Sequence, residues 1–410
     1  MTLPNNPILI AGAGIAGLAA AIALSARGFS VRVLEKRQDF SDAGAGIQIG
    51  PNGVKALRTL GLGGAVERHG FKPSGIALYD GASGRLLTTL PLGEVAEARF
   101  GAPYTTWSRA GLQSVLREAA LAANNVAIET GFDLAGIDPV ADGFVIRSVD
   151  GRTTIGSALI GADGVWSHVR AWQGNPAPTP SGYAAYRATI PRLPGADRLS
   201  APFSGGAVCV WFGRAAHVVH YPVDGGSKLN VVVIVQAPPG SADWDQPGAI
   251  ADLTPHLAGW SPELVAMLQR APEWRRWSVF AQARTGAWAK ERTLRIGDAA
   301  HPILPFLAQG AVMALEDAVV LTDAMVRAPA HPTQAFARFE TIRRQRVERV
   351  ADASQRNGAI NHMTGLPALA RNAVLRWTPP ARLLARFDWL YGYDVRKDLQ
   401  FVTGAEKWTG

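Results

Sequence analysis

Three glycines and one acidic residue near the start of the chain have the spacing of a nucleotide-binding unit. The glycines are Gly12, Gly14 and Gly17, and they lie between a short apolar run and an Ala/Leu/Ile-rich segment. In a strand–turn–helix unit the first glycine makes the turn, the second lets backbone approach a pyrophosphate, and the third allows close helix packing. Glu35 ends a second β-like run, 23 positions after Gly12, where an acid commonly holds a ribose. The pattern therefore predicts dinucleotide binding.

Two later segments repeat the pattern of an apolar run that ends in glycine and an acid. The first covers residues 158–164 and contains Asp163, and by composition it is either a phosphate- or ribose-type site or a sharp turn. The second covers residues 294–302 and contains Asp298. A helix is predicted to open at Gly310 and Ala311, shortly after the second segment.

His217 and Tyr221 are the candidates for moving a proton. They are four positions apart in a predicted strand over 217–223, so both side chains face one side and His220 faces the other. A base with a pKa near neutrality could deprotonate a phenol, but the pair could equally be packed on a sheet. Cys209 lies eight positions before His217. By the same parity it either lines the same pocket or is a small buried residue.

Arg109 is a candidate for binding an anion. It follows Ser108, the predicted cap of a helix over 110–122, and a cation in the first turn opposes the helix dipole unless an anion is close. The alternative is a surface arginine. The glycine-dense segment 44–52 is predicted to be an irregular loop through which backbone can approach a flat ligand, with Asn52 capping a short helix.

The order of elements predicts an α/β fold with interleaved domains. Strands with β-branched and aromatic residues dominate residues 183–236, which favours an antiparallel sheet. A Trp-rich helical stretch is predicted at about 248–276, and the last 80 or so residues are predicted to be helical. We expect a nucleotide-binding domain at 1–75, 105–180 and 283–330, a sheet domain at 76–104 and 181–282, and C-terminal helices at 331–410.

Composition argues against several classes of protein. The chain has 410 residues, of which 48% are hydrophobic and 18% charged, as in ordinary globular proteins. A single cysteine, no secretory signal and no segment of transmembrane length predict a cytoplasmic protein without a metal site or membrane association. The net charge of +8 could steer anionic small molecules. The basic cluster at 343–346 is interpreted as the solvated face of a helix, and we expect no nucleic-acid partner.

Three motifs in this order make the sequence similar to the class A FAD-dependent aromatic hydroxylases, the flavoprotein monooxygenases of the para-hydroxybenzoate hydroxylase type. They are GAGIAG at 12–17, GADG at 161–164 and GDAAHP at 297–302, the last continuing into LAQGAVMALEDA. The segments GAGIQIGPN and WLYGYD resemble the branch acting on salicylate, 3-hydroxybenzoate and 6-hydroxynicotinate. The resemblance implies a Rossmann-like FAD-binding domain of the glutathione-reductase type. We expect a monomer or homodimer.

The resemblance assigns FAD contacts by position. Glu35 would hold the adenosine ribose, and Arg109 would reach the phosphates. Asp298 would bind the ribityl or phosphate region. The full expected set is Gly12, Gly14, Ala16, Gly17, Glu35, Lys36, Arg37, Gln48, Arg109, Leu134, Asp163, Asp298, Gly310 and Ala311.

The resemblance also implies a reaction and a substrate site. NADH or NADPH would reduce the flavin, O2 would convert it to a flavin hydroperoxide, and oxygen would pass to a small phenolic or heteroaromatic acid. The matching branch has a His-x-x-x-Tyr pair, which favours the catalytic interpretation of His217 and Tyr221. The expected substrate residues are Gln48, Cys209, His217, Tyr221 and Pro305.

Two departures from the branch leave the aromatic acid unnamed. Gln48 stands where the 6-hydroxynicotinate enzymes tend to have histidine, and Pro305 stands where the 3-hydroxybenzoate enzymes tend to have glutamine. Two alternative functions remain open: a flavin-dependent oxidase or dehydrogenase of this fold without oxygen transfer, and a non-catalytic flavin-binding regulator.

Overall fold

A computed structural model describes residues 6–40, 46–192, 201–237, 245–281 and 286–400. In chain order, the strands are β1 Ile8–Ala11, β2 Val31–Glu35, β3 Gly46–Ile49, β4 Gly75–Asp80, β5 Leu86–Pro91, β6 Thr105–Ser108, β7 Val126–Thr130, β8 Leu134–Val140, β9 Gly143–Ser148, β10 Thr153–Gly156, β11 Ala158–Gly161, β12 Thr179–Pro191, β13 Val208–Gly213, β14 Ala216–Val223, β15 Lys228–Gln236, β16 Asp245–Gly248, β17 Trp274–Ala281, β18 Ala289–Lys290 and β19 Thr293–Arg295. The helices are α1 Ile15–Ser25, α2 Pro51–Thr59, α3 Gly63–His69, α4 Glu94–Phe100, α5 Arg109–Leu121, α6 His168–Trp172, α7 Ala201–Ser204, α8 Ile250–Leu253, α9 Pro262–Gln269, α10 Gly310–Arg327, α11 Pro332–Asn361, α12 Gly365–Trp377, α13 Pro380–Ala385, α14 Asp388–Tyr391 and α15 Val395–Gln400.

The predicted nucleotide-binding unit is built around a six-stranded sheet. Its order is β18-β19-β11-β1-β2-β7, in which β19, β11, β1, β2 and β7 run parallel and β18 is antiparallel to β19. Helix α1 connects the parallel neighbours β1 and β2. It is apolar on every side and buried along almost its whole length, as expected for a helix enclosed by other elements.

The second sheet has eight strands in the order β16-β17-β12-β15-β14-β13-β4-β5. Its neighbouring pairs are antiparallel except for β13 and β4, which run parallel. One face of β14 and β15 packs on a separate apolar cluster that includes Trp211, Val218 and Val233. The opposite face is directed to the nucleotide-binding unit, so this sheet forms one wall between the two parts of the molecule.

The C-terminal part of the described chain is helical, as predicted. Helices α10 and α11 contribute to the same large apolar core as α1. Together with these two larger sheets they give the mixed α/β fold that the sequence predicted. Among the described residues, no helix is long and apolar enough to cross a membrane.

Three local predictions were wrong because distant parts of the chain decide the conformation. Gly46–Ile49, within the predicted loop, is a strand that pairs with Thr105–Ser108; Gly44 and Ala45 lie outside the described residues. Helix α2 is capped by Gly50 and starts at a proline, while Asn52 lies inside the helix and donates to two distant side chains. The Trp-rich stretch is helical at α9, but from Trp274 it forms strand β17.

The interpretation of the basic cluster as a solvated face was also wrong. Arg343 is fully buried and forms ion pairs with Glu316 and Asp317, both at 2.8 Å. Arg346, three positions later on the same face of α11, is also buried and contacts Glu316. A buried cation requires a partner. The partners of Arg343 lie on the preceding helix, α10, and the periodicity of the α11 sequence does not reveal them.

Candidate active site

The glycine loop has the shape of a phosphate cradle. A Cβ atom at Gly12, whose φ is +100°, would lie 2.5 Å from the carbonyl oxygen of Ala162, and one at Gly17 would lie 1.9 Å from that of Gly12. At Gly14, by contrast, nothing lies within 4 Å. Gly14 also caps α1 without a side-chain hydrogen bond. The unpaired N–H groups at the start of α1 are therefore open to an anion.

Glu35 is fixed at the edge of this loop. Its carboxylate accepts hydrogen bonds from the backbone N–H of Ala13 at 2.7 Å and of Arg37 at 3.0 Å. Lys36 and Arg37 are exposed beside it. Leu134 packs in an apolar cluster with Leu34 at the same strand end. These residues thus lie together at the predicted adenosine end of the site.

Asp298 lies in the 3₁₀ turn Gly297–Ala299 that follows β19. Its side chain has exposed area, but that area faces a cavity that Arg109 also lines. Burial by the surrounding protein raises the pKa of Asp298, and the positive charge of Arg109 opposes this effect. A Cβ atom at Gly310 would lie 3.8 Å from Oδ1 of Asp298, so the carboxylate sits beside the N-terminus of α10, where Ala311 follows.

One oxygen of the Asp163 carboxylate forms local hydrogen bonds that stabilise the start of a helix. Its Oδ2 accepts from the backbone N–H groups of His168 at 2.7 Å and Val169 at 3.3 Å, at the start of α6. The cavity is lined by the neighbouring Ala162 and Gly164. A direct contact between Asp163 and FAD therefore stays a prediction.

One cavity of about 790 Å³ joins the two halves of the site, within the usual range for small-molecule pockets. Its first wall carries the glycine loop, Asp298, Pro305, Gly310 and Ala311. Its second wall is the apolar face of the eight-stranded sheet, contributed by Ile76, Leu78, Val210, Val219, Val232 and Ile234. A flat aromatic ring bound against the sheet would therefore lie opposite a cofactor bound along the glycine loop.

His217 and Tyr221 both line this cavity, as the strand parity predicted. They are 1% and 2% exposed, and burial raises the pKa of the Tyr221 hydroxyl. Gln48 lies near the Tyr221 hydroxyl and lowers its pKa against the effect of burial, and Gln48 Oε1 accepts a hydrogen bond from the Tyr104 hydroxyl at 2.7 Å. The hydrogen bond from Tyr104 thus holds Gln48 at the cavity wall.

His362 belongs to the site but was missed from the sequence. It follows the C-terminal end of α11, and its Nε2 lies 2.7 Å from Nδ1 of His217. Burial lowers the pKa of His217 to about 3 and that of His362 to about 4. Both rings are therefore neutral near pH 7. The two residues are 145 positions apart, and no local pattern links them.

The placement of Cys209 among the substrate residues was wrong. Cys209 on β13 is directly opposite His220 on β14, and paired residues of antiparallel strands share a face. The Cys209 side chain therefore packs with Trp211 in the apolar cluster behind the sheet. Counting parity from Cys209 to His217 failed because the turn between the strands does not preserve it.

Comparisons with known proteins identify the family of this chain. A family model described as "FAD binding domain" matches residues 5–354. The chain belongs to this FAD-binding family. It is 33% identical to 3-hydroxybenzoate 6-hydroxylase of Polaromonas naphthalenivorans, over 95% of this chain and 96% of that protein. It is 32% identical to 6-hydroxynicotinate 3-monooxygenase of Bordetella bronchiseptica, over 95% of each. The crystal structure of Klebsiella pneumoniae HpxO with FAD and uric acid superposes with a TM-score of 0.82 at 27% identity, covering 94% of this chain and 96% of that one.

The chain is accordingly a FAD-dependent aromatic-ring monooxygenase, with NAD(P)H and O2 as co-substrates. The glycine loop fits this cofactor. The space beside Gly14 is open and admits a pyrophosphate, and the tight turn that creates this space requires glycine at positions 12 and 17, where a Cβ atom would clash with backbone. FAD supplies the redox and oxygen chemistry when it is bound. This finding favours the monooxygenase over the oxidase or dehydrogenase interpretation of the sequence.

Proposed function

We propose that this monooxygenase hydroxylates a small phenolic or heteroaromatic acid, bound against the apolar face of the eight-stranded sheet. The observation that carries the proposal is the placement of His217 and Tyr221 on that face, inside the cavity that also contains Asp298 and the start of α10. Two relatives of the chain act on the aromatic acids 3-hydroxybenzoate and 6-hydroxynicotinate. The flat apolar wall of the cavity suits rings of that size.

In this proposal the glycine loop, Glu35, Arg109 and Asp298 hold FAD, and Gly310 and Ala311 place backbone against its ring system. Gln48 and Pro305 border the substrate. His217 and Tyr221 take or relay the proton of a substrate hydroxyl, which makes the ring electron-rich at the carbon that is attacked. His217 is held by its contact with His362, so its side chain does not have to be ordered when substrate binds.

Positive charge at the cavity supports an acidic substrate. Arg349 and Arg356 of α11 and Arg386 line the cavity and are exposed at the molecular surface. The guanidinium of Arg349 is held over the ring of Trp389 at 4.3 Å. Together with the net charge of +8, such a rim attracts carboxylates from solution.

The experiment is a screen of the purified holoenzyme with 3-hydroxybenzoate, salicylate, 6-hydroxynicotinate and uric acid, recording NADH or NADPH consumption and hydroxylated product together. We expect at least one of the hydroxylated acids to accelerate cofactor oxidation and to yield product in proportion. Acceleration with hydrogen peroxide as the sole product for every compound would favour the oxidase alternative. We propose that the protein is a monomer or a homodimer, and size-exclusion chromatography of the same preparation tests this. We also propose a cytoplasmic location, which cell fractionation tests.

A further inference from the structure

We infer that His362 is a positioning residue that completes a two-histidine proton relay with His217. The inference rests on the proposed function, since it concerns the proton of a substrate hydroxyl. Its geometric basis is the 2.7 Å contact between Nδ1 of His217 and Nε2 of His362. Because Nδ1 is engaged, Nε2 is the nitrogen that His217 presents to the cavity it lines.

The partner of one imidazole nitrogen decides the protonation of the other. If His362 accepts a hydrogen bond from Nδ1 of His217, then Nε2 of His217 carries a lone pair and can act as a base. When that nitrogen takes a proton, the resulting cation is stabilised by a charge-assisted hydrogen bond to His362. A neutral His362 that accepts this hydrogen bond therefore favours the protonated form of His217, which burial disfavours.

Within the described part of the chain, the relay ends at His362 and does not continue to another hydrogen-bonded group. Nδ1 of His362 is buried there without a hydrogen-bond partner. The ring packs against Tyr183 of β12 at 5.5 Å and Phe306 at 5.9 Å, and the positive charge of Arg371 on α12 acts on it. Among the described residues, Nδ1 of His362 has no hydrogen-bond partner to which a proton could pass onward, so the pair suits a proton that is held and then returned.

The proton balance follows from this arrangement. The O–H bond of the substrate breaks and an N–H bond forms at Nε2 of His217, while the proton on Nδ1 of His217 stays hydrogen-bonded to Nε2 of His362, so the pair holds one positive charge. When the ring regains its aromaticity, the C–H bond at the hydroxylated carbon breaks and its proton goes into the water that the reaction releases, while the proton held by the pair returns to the same oxygen by the reverse route. The pair ends the turnover as it began it, and a neutral His362 adds no negative charge to a cavity that binds an acid and a phosphate-bearing cofactor.

The first test does not depend on turnover. In long-range ¹H–¹⁵N spectra of ¹⁵N-histidine-labelled holoenzyme without substrate, we expect His217 to carry its proton on Nδ1, with its signal assigned by loss in the His217→Phe variant. In His362→Phe the proton should move to Nε2, because the acceptor for Nδ1–H is gone. The matched control is His220→Phe, an equally buried histidine on the other face of β14, which should leave the His217 signal unchanged.

The second test separates the relay from a structural role. With 3-hydroxybenzoate, salicylate and 6-hydroxynicotinate as probes, His362→Phe should lower the ratio of product to NADH about tenfold or more near neutral pH and less at high pH, where the hydroxyl ionises unaided. His362→Gln should recover part of the loss, because its amide oxygen can accept from Nδ1. FAD affinity should equal that of the unaltered enzyme.

An unchanged His217 tautomer in His362→Phe, or an equal change in His220→Phe, would overturn the relay. So would a loss of coupling that is the same at every pH. Absence of hydroxylated product from the unaltered enzyme would instead contradict the proposed function, while the tautomer spectra would still decide whether His362 sets the state of His217.

Discussion

The carboxylate of Asp317 accepts a hydrogen bond at 2.9 Å from the backbone N–H of Gly297, the residue before Asp298. The same carboxylate contacts His301 at 2.6 Å and Arg343 at 2.8 Å. Gly297 has a φ of +56°, a left-handed conformation that favours glycine. A buried charge outside the cavity thus fixes the turn that presents Asp298 to the cavity.

Arg343→Leu should lower the free energy of unfolding by about 3–5 kcal/mol, because it removes the buried cation that Glu316 and Asp317 share. Thermal or urea denaturation of the holoenzyme measures the change. The control is Arg327→Leu, which breaks a more exposed pair with Asp323 and should cost about 1 kcal/mol or less. Equal losses in the two variants would show that the buried cluster has no special weight.

Asp298→Ala should weaken FAD binding by roughly ten- to a hundredfold, the usual cost of a lost hydrogen bond to a charged group. The reason is its position at the N-terminus of α10, facing the cavity. Fluorescence titration of the apoprotein with FAD measures the affinity. Asp323→Ala, on the same region of the chain but outside the cavity, is the control. Undiminished affinity in Asp298→Ala would remove this residue from the cofactor site.

Glu35→Ala should weaken FAD binding but leave the turnover of FAD-saturated enzyme largely intact. Its carboxylate is held at the edge of the glycine loop by the N–H of Ala13, far from the cavity wall that carries His217. The loss should therefore be in uniform binding. Glu35→Gln, which keeps one acceptor oxygen, should lose less. A matching loss in saturated turnover would show that Glu35 does more than bind the adenosine end.

His217→Ala and Tyr221→Phe should convert the enzyme partly into an NADH oxidase. Removing a general base typically costs about 10²- to 10⁴-fold in the step that it serves, and that step is hydroxylation rather than flavin reduction. The measurement is the ratio of product to NADH across pH, with hydrogen peroxide assayed in parallel. The defect should shrink at high pH, and full coupling in both variants at all pH values would leave the pair as sheet packing.

His220→Phe should make the protein less sensitive to acid. Burial, together with the charge of Arg192, lowers the pKa of His220 to about 3, against about 6.5 in an unfolded chain. As the pH falls below 6.5 the unfolded state binds the proton and the folded state does not, so stability falls by about 2 kcal/mol at pH 5. The melting temperature should therefore drop less between pH 7 and pH 5 in the variant. An identical drop would mean that His220 is not buried as a neutral ring.

Much of the fold was predictable because it depends on local signals. The glycine loop, the alternation in the strands and the Ser108 cap, which accepts from Gly111 N–H, all lie within a few residues of the features they determine. The FAD-binding family follows from motifs whose spacing is set by the same local geometry. Strand parity placed His217 and Tyr221 on one face for this reason.

What failed depends on contacts between distant segments. Gly46–Ile49 is a strand because Thr105–Ser108 lies beside it. Cys209 faces away from the cavity because of its register with His220. Arg343 is buried because α10 supplies two carboxylates. His362 reaches His217 because it follows the end of a 30-residue helix. Periodicity within one segment contains no information on these partners.

Helix α11 has a mechanical consequence for engineering this protein. It begins near the surface, is pinned at Arg343 by the cluster under the cofactor turn, and ends where His362 meets His217. The helix rises about 28 Å from Arg343 to His362. It is continuous over this length and is held by side-chain contacts near both ends. A substitution that tilts or shifts the helix at Arg343 would therefore also move His362. The contact between His362 and His217 would then change through substitutions made far from any ligand.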